Sequence, residues 1–414
     1  MRTLRRRFGR AIRGLSLVAL VLGAACTTVI ARAPVPAEAI DDAAPYGVRP
    51  ANDTIREWGD GIGARDRDAL LQARADVLSA AHAEAIRKGE PIVQTALALS
   101  GGGADGAYGA GLLNGWSARG DRPEFTAVTG ISTGAILALF AYLGPDYDDE
   151  LAEIYTTYTT RDLIQPAILA GLTGGTAVTD TRGYRRLIED YIDEAVVVEI
   201  AAAYRQGRAL LIGTTNIDAS RPVVWNIGAI AASGHPEARR LIQDIVQASS
   251  AIPGVFPPAL IPVETADGRR YDEMHVDGGA TQQVMLFSPS LPLRAFDEAV
   301  GARFDRTTYV VMNNKLDKPY DPVRPRLVAI AARAASSLLS GSGSGDIYKI
   351  FAIAQRDGID LNVLWIPEDF AVEAEEPFDP VYMKALYDLG YAHGLAGDRW
   401  SPYPPDFAPW PPAQ

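Results

Sequence analysis

The apolar positions of the N-terminal 99 residues change character several times. Residues 14–25, GLSLVALVLGAA, form a 12-residue apolar run behind a basic stretch at 2–13. A spanning helix needs about 20 apolar residues, so this run reads as the core of an export signal. Residues 27–65 mix prolines, glycines and charges without a period and read as a tether. Over 66–88, Leu70, Leu71, Val77, Leu78 and Ile86 recur at one or two turns and predict a helix, stopped at Gly89-Glu90-Pro91. Ile92–Leu99 is a short apolar run and predicts a buried strand.

Beyond it the two periods alternate. Helices are predicted at 107–118, 133–143 and 182–193, and strands at 124–129, 208–215, 222–227, 259–263 and 307–313. Residues 324–357 read as helical with a break, a surface loop, at Ser340-Gly-Ser-Gly-Ser-Gly345. A strand at 361–366 and a helix at 379–390 follow, and from Pro402 a proline-rich irregular tail. Alternating strands and helices predict an α/β fold with a mostly parallel sheet covered on both faces. The chain divides into a signal (1–25), a tether (26–65), an N-terminal helix (66–90), a main domain (91–366) and a C-terminal helix with tail (367–414).

Composition changes this picture little. Among 414 residues, 48% are hydrophobic and 22% charged, which is ordinary for a globular chain. The formal charge is −12, and the first 25 residues hold six arginines and no acid, so the remainder is more acidic still. That charge argues against nucleic acid as a partner. The one cysteine excludes an internal disulfide and a cysteine-based zinc site. It is Cys26, directly after Gly23-Ala24-Ala25, and this resembles a bacterial lipobox with Gly23 where the pattern prefers Leu. Leu4-Arg5-Arg6-Arg7-Phe8-Gly9-Arg10 resembles a twin-arginine export signal. These resemblances imply an exported protein of the cell envelope, held to a membrane by a lipid on Cys26.

Three motifs carry candidate chemistry. The first, Ser100-Gly-Gly-Gly-Ala-Asp-Gly-Ala-Tyr-Gly-Ala-Gly111, follows a predicted strand and opens a predicted helix. Gly101, Gly103 and Gly106 satisfy a dinucleotide-binding spacing, but the same loop suits an oxyanion hole built of backbone N–H groups. The acid that a dinucleotide site expects at the end of the second strand is absent, for Asp121 precedes that strand. The strand at 124–129 instead runs into Gly130-Ile131-Ser132-Thr133-Gly134 and an apolar helix. G-x-S-x-G between strand and helix is the setting of a nucleophile elbow, with Ser132 the candidate nucleophile. The third motif, His275-Val-Asp-Gly-Gly279, offers Asp277 as a base ahead of two glycines, although Asp-Gly-Gly by itself reads equally as a turn.

Gly101–Gly111, Gly130–Gly134 and Asp277-Gly278-Gly279, in that order, resemble the patatin-like phospholipases. Ala248-Ser-Ser-Ala-Ile-Pro-Gly-Val-Phe-Pro-Pro258 also looks like the segment these proteins carry between nucleophile and aspartate. The resemblance covers about residues 92–313. It implies a three-layer α/β/α sandwich and an acyl-ester or lipid hydrolase with a Ser132–Asp277 dyad. It further implies oxyanion donors from Gly101, Gly102 and Gly103, with Gly106, Gly130, Gly134, Gly278 and Gly279 supporting the motifs, and neither metal nor organic cofactor. Ile252–Phe256 is the expected dry wall beside Asp277, raising its basicity by desolvation. The chain departs from the family at Asp105, where Arg or Lys is usual, and at Ser100, where Asp is common. An acid at 105 repels phosphate and points away from anionic headgroups.

Two other readings stand beside this one. A Ser–Asp–His hydrolase would run Ser132, Asp277, His393 in chain order. A non-catalytic envelope lipoprotein would use the same fold to bind acyl chains or a partner. Asn313-Asn314-Lys315 reads as a turn, and Tyr155–Thr160 as a half-buried helix face.

Overall fold

The computed structural model describes residues 31–48, 55–61, 67–168, 175–287, 293–316, 320 and 322–407. The expected signal and Cys26 lie outside the described residues.

Ten strands form one sheet: β1 (Ala44–Pro45), β2 (Arg56–Trp58), β3 (Ile92–Leu99), β4 (Ala127–Ile131), β5 (Ala209–Asn216), β6 (Arg221–Asn226), β7 (Ala259–Glu264), β8 (Arg270–Asp277), β9 (Phe304–Met312) and β10 (Asp360–Trp365). The main path runs β1-β7-β8-β5-β4-β3-β9-β10, and β6 joins β5 to β2. The five strands β5, β4, β3, β9 and β10 are parallel, as the alternating pattern predicts. Beyond β5 the pairings turn antiparallel. The carboxyl-terminal parts of β3, β4 and β9 are buried on both faces, and there the sequence runs apolar, as at Leu97–Leu99 and Val310–Met312.

Successive side chains of a strand point to opposite faces, and here they feed two cores. Leu97, Leu99, Val128, Leu210 and Ile212 join one core with α2 (Gly106–Arg119), α3 (Thr133–Leu143) and α4 (Ala238–Ser249), the last two placed by Leu137, Ile242 and Ile245. Ala98, Val310, Met312 and Val363 join the other with Ile347 and Ile350 of α5 (Leu327–Asp357). Helix α1 (Arg67–Ala81) lies with the 293–300 helix over Ile92 and Phe304. The result is a sheet between two helical layers, a mixed α/β sandwich.

Four glycines set a close helix pair. Added Cβ atoms at Gly111 and Gly115 of α2 would overlap the carbonyls of Tyr387 and Tyr391 in α6 (Pro380–Ala396). Added Cβ atoms at Gly390 and Gly394 would overlap the carbonyls of Tyr108 and Leu112. Each pair is spaced by four and so shares one helix face. The C-terminal helix is thereby locked onto the helix that follows the glycine loop.

Three expectations are corrected. The break at 340–345 does not exist, for α5 is continuous from Leu327 to Asp357. Glycine's weak helix preference is overridden by burial of Ile347, Ile350, Ile353 and Ala354 just beyond it. Within the expected tether, β1 and β2 are strands of the sheet. Arg56 of β2 is ion-paired to buried Glu273 of β8, and Val48 and Ile55 are buried. Strand β8 itself was not predicted, because the residues on its buried face are Glu273, His275 and Asp277, invisible to a hydrophobic period. Helices at 148–156, 194–205, 227–232 and 238–249 were also not predicted.

A Gly390→Ala variant is expected to lose about 1–3 kcal/mol of stability by overpacking the helix crossing. Gly345→Ala, where an added methyl meets nothing within 4 Å, is expected to gain up to about 1 kcal/mol through helix propensity. Urea unfolding of both checks this, and effects of the same sign would overturn it.

Candidate active site

β4 ends at Ile131, α3 begins at Thr133, and the chain turns sharply at Ser132 between them. Ser132 takes φ 56° and ψ −125°, a region that costs a non-glycine residue about 1–3 kcal/mol. The neighbours make this turn possible. A Cβ on Gly130 would overlap the Gly134 carbonyl, and one on Gly134 would overlap the carbonyls of Leu99 and Ser100. Ser132 N–H donates to Ser249 Oγ at 2.9 Å, and that hydroxyl donates to the Gly213 carbonyl at 2.7 Å. The elbow is therefore pinned to β5 through the end of α4.

Asp277 is the last residue of β8, two strands from β4. Its carboxylate accepts the Gly279 N–H at 2.7 Å and lies beside the Ser132 side chain. Both residues are buried, at 6% exposure for Ser132 and 5% for Asp277. Burial pushes the Asp277 carboxyl up to about 6, against the pull of the Ser132 and Gly279 hydrogen bonds. Gly278 could carry no side chain, since a Cβ there would crowd the Gly213 carbonyl at 2.6 Å.

The histidines lie elsewhere. His275 shares the buried face of β8 and bonds to Glu273 at 3.1 Å and Thr214 at 2.9 Å. Burial lowers its pKa against the opposing pull of Glu273. Burial also opposes ionisation of Glu273, but Arg56 and the hydrogen bonds from His275 and Arg56 hold it down to about 2. This chain fastens β2 to β8. His393 pairs through Nδ1 with the Tyr108 hydroxyl at 2.9 Å.

The glycine loop follows β3. Its first member corrects an expectation: the Gly101 N–H donates to the Gln283 carbonyl at 3.0 Å and is not available to a substrate. For the N–H groups of Gly102 and Gly103 no protein acceptor is found among the described residues. Gly102 must be glycine because the Asn313 carbonyl occupies the place of a Cβ, and Gly103 has φ 60°. Asn313, expected as a turn residue, is buried and braces the loop. Its N–H donates to Ser100 Oγ at 2.8 Å and its amide to the Ser100 carbonyl at 2.9 Å. Asn313 stands at the carboxyl end of β9, the edge where ligands of open α/β sheets bind, and that position is the signal that could have found it.

A cavity of about 60 Å³ opens beside Gly103 and Ser132, walled by Ile136, Tyr155, Leu163, Tyr184 and Phe256. The walls are fixed: Tyr155 is hydrogen-bonded to Thr133 at 2.6 Å, and Tyr184 donates to Ser250 at 2.6 Å. Of the expected dry wall, Ile252 and Phe256 line this cavity, whereas Val255 faces out at 38% exposure. Asp105 lies at the start of α2 and accepts the Tyr382 hydroxyl at 2.7 Å. Burial pushes Asp105 up to about 6, with Tyr382 and the charge of Lys315 pulling it back. Among the described residues no cluster of His, Cys, Asp and Glu could hold a metal ion.

The family model described as patatin-like phospholipase matches residues 97–297. These residues hold the glycine loop, Ser132 and Asp277. A solved structure, VipD from Legionella pneumophila, aligns over 75% of this chain and 68% of its own at 14% identity, with a TM-score of 0.32. No curated protein matches the sequence.

The raised Asp277 carboxyl has a consequence for stability. Between its ordinary value near 3.9 and about 6, the unfolded chain has released a proton that the folded chain retains. Stability from this group is therefore present below that window and lost as pH rises through it. Asp277→Asn removes the loss, so its stability relative to wild type is expected to be about 2 kcal/mol better at pH 8 than near pH 4. Urea unfolding at the two pH values tests this, and a pH-independent difference would contradict it.

Proposed function

We propose that the chain is a lipid ester hydrolase, a reading supported by the match of residues 97–297 to the patatin-like phospholipase model, and that Ser132 and Asp277 are its catalytic pair. The observation that carries this reading is a strained, elbow-borne Ser132 placed beside a buried Asp277, whose carboxyl the Ser132 side chain pulls toward its charged form. Ser132 Oγ attacks the ester carbonyl and Asp277 takes its proton. The tetrahedral oxyanion faces the N–H groups of Gly102 and Gly103, while Gly101 holds the loop. Collapse expels the alcohol, protonated by Asp277, and leaves an acyl group on Ser132. Water, deprotonated by Asp277, attacks that acyl-enzyme, and the acid leaves with the serine hydroxyl restored.

The cavity beside Ser132 suits the carbons next to the ester carbonyl. Its apolar walls exclude water from the acyl group and from Asp277, and desolvation is what makes a carboxylate a usable base near neutral pH. Asp105, in the glycine loop two residues after Gly103, disfavours an anionic phosphate, so neutral esters fit better than acidic phospholipids. The direct Ser132–Asp277 contact, and the His393–Tyr108 pairing, favour a dyad over a Ser–Asp–His triad.

We infer further that residues 1–25 export the chain and that a lipid on Cys26 holds it at the cell envelope. The motifs at 4–10 and 23–26 support this. Cys26→Ala is expected to move the protein from the membrane fraction to the soluble one, and retention in the membrane would refute the anchor.

Intact mass after a fluorophosphonate probe tests the catalytic reading. Wild type is expected to gain a single adduct, and Ser132→Ala none. The acid limb of kcat/KM for a neutral ester is expected to fall as pH drops through about 6, where Asp277 protonates. An adduct retained in Ser132→Ala, or full activity in Asp277→Asn, would sink the proposal.

A further inference from the structure

We propose that Gln283 is a positioning residue that sets the oxyanion donors and the base relative to one another, and that Asp346 of α5 holds it there. The inference rests on the roles given above to Ser132, Asp277 and the glycine loop. Gln283 touches both halves of the site. Its carbonyl accepts the Gly101 N–H at 3.0 Å, which fixes the root of the glycine loop. Its side-chain amide donates to the Gly279 carbonyl at 3.1 Å. Gly279 is the residue whose own N–H donates to the Asp277 carboxylate at 2.7 Å. One residue thus spans the carboxyl ends of β3 and β8, with β5 and the Ser132-bearing β4 between them. A Cβ on Gly101 would press on Gln283 Oε1 and Ser132 Cβ, each at 3.2 Å, so the loop lies against both.

Gln283 is itself held. Its N–H donates to Asp346 Oδ2 at 2.7 Å, and the Val284 N–H reaches the same oxygen at 3.5 Å. Gly343, almost one turn before Asp346, lies against the Gln283 side chain. Gln283 and Asp346 are both buried, at 8% exposure, so each polar atom that loses its partner is left costly and unsolvated. Neither residue lines the cavity beside Ser132. Their loss should therefore disturb transition-state geometry and leave substrate binding alone. The serine- and glycine-rich run that reads as a loop in the sequence is, on this account, the helical support of the active site.

The test uses three variants of the full chain: Gln283→Met, which keeps volume and loses the amide; Asp346→Ala, which loses the acceptor; and Asp346→Asn, which keeps one. Active sites are counted by fluorophosphonate adduct, and kcat and KM are measured per active site with a neutral ester. Gln283→Met and Asp346→Ala are expected to lose about tenfold in kcat, a cost in line with small misplacements of reacting groups. KM is expected to stay within about twofold, the acid limb to shift in Gln283→Met, and Asp346→Asn to restore kcat. A purely structural role would lower the denaturation midpoint and leave kcat per active site unchanged, which would overturn the proposal. A loss confined to KM would overturn it equally. Gln283→Met decides the matter if Asp346→Ala does not fold. If wild type takes no adduct at Ser132 the catalytic reading fails; if it does and the variants keep kcat, only the positioning role fails.

Discussion

The site depends on one residue held where its backbone does not want to be. Ser132 sits at φ 56° without the freedom of glycine, and the surroundings hold it there from three sides. Close approach is provided by Gly130 and Gly134, which leave room for carbonyls where side chains would stand. Direction is provided by Ser249, which receives the Ser132 N–H and passes its own hydrogen to β5. Insulation is provided by α3, whose residues 133–142 are all buried. A cost of about 1–3 kcal/mol is small against that much packing, but it persists only because no neighbour can give way.

The second constraint is electrostatic. Asp277 is a carboxylate in a place that disfavours charge, paired with a neutral hydroxyl and one N–H and with no cation among its named partners. Glu273, two residues earlier on the same strand face, is equally buried yet fully ionised, because Arg56 answers it. The same strand thus carries one carboxyl held ionised and one held near its protonated form, the state that the proposed proton transfer uses. What separates them is the pair of partners that Glu273 has and Asp277 lacks, His275 and an arginine brought in by an N-terminal strand.

The central strands were legible in the sequence because both their faces are apolar: Ile92–Leu99 is predicted to the residue, and α3 likewise at 133–143. Ser132 was legible because its constraint is local, a strand, a tight turn and a helix within a few residues. Asp277 was not legible without a family resemblance, since its strand hides its burial behind polar residues. Gly101 was assigned a donor role that its own N–H cannot fill, because its acceptor, Gln283, lies 182 positions away. Asn313, Ser249, Gln283 and Asp346 escaped for the same reason. Each acts through a contact between distant segments, and single-sequence patterns carry only near neighbours.

The N-terminal stretch alters how far the enzyme can stray. Ala33 exchanges hydrogen bonds with Asp272, and Arg32 is ion-paired to Asp218, so the chain is already moored to the body by residue 32. Only five residues, 27–31, separate that point from Cys26. Fully extended they reach roughly 20 Å, less than the thickness of a bilayer core. On the proposed anchoring, a lipid at Cys26 would therefore keep the body within about that distance of its membrane, and diffusion in two dimensions would decide which esters it meets.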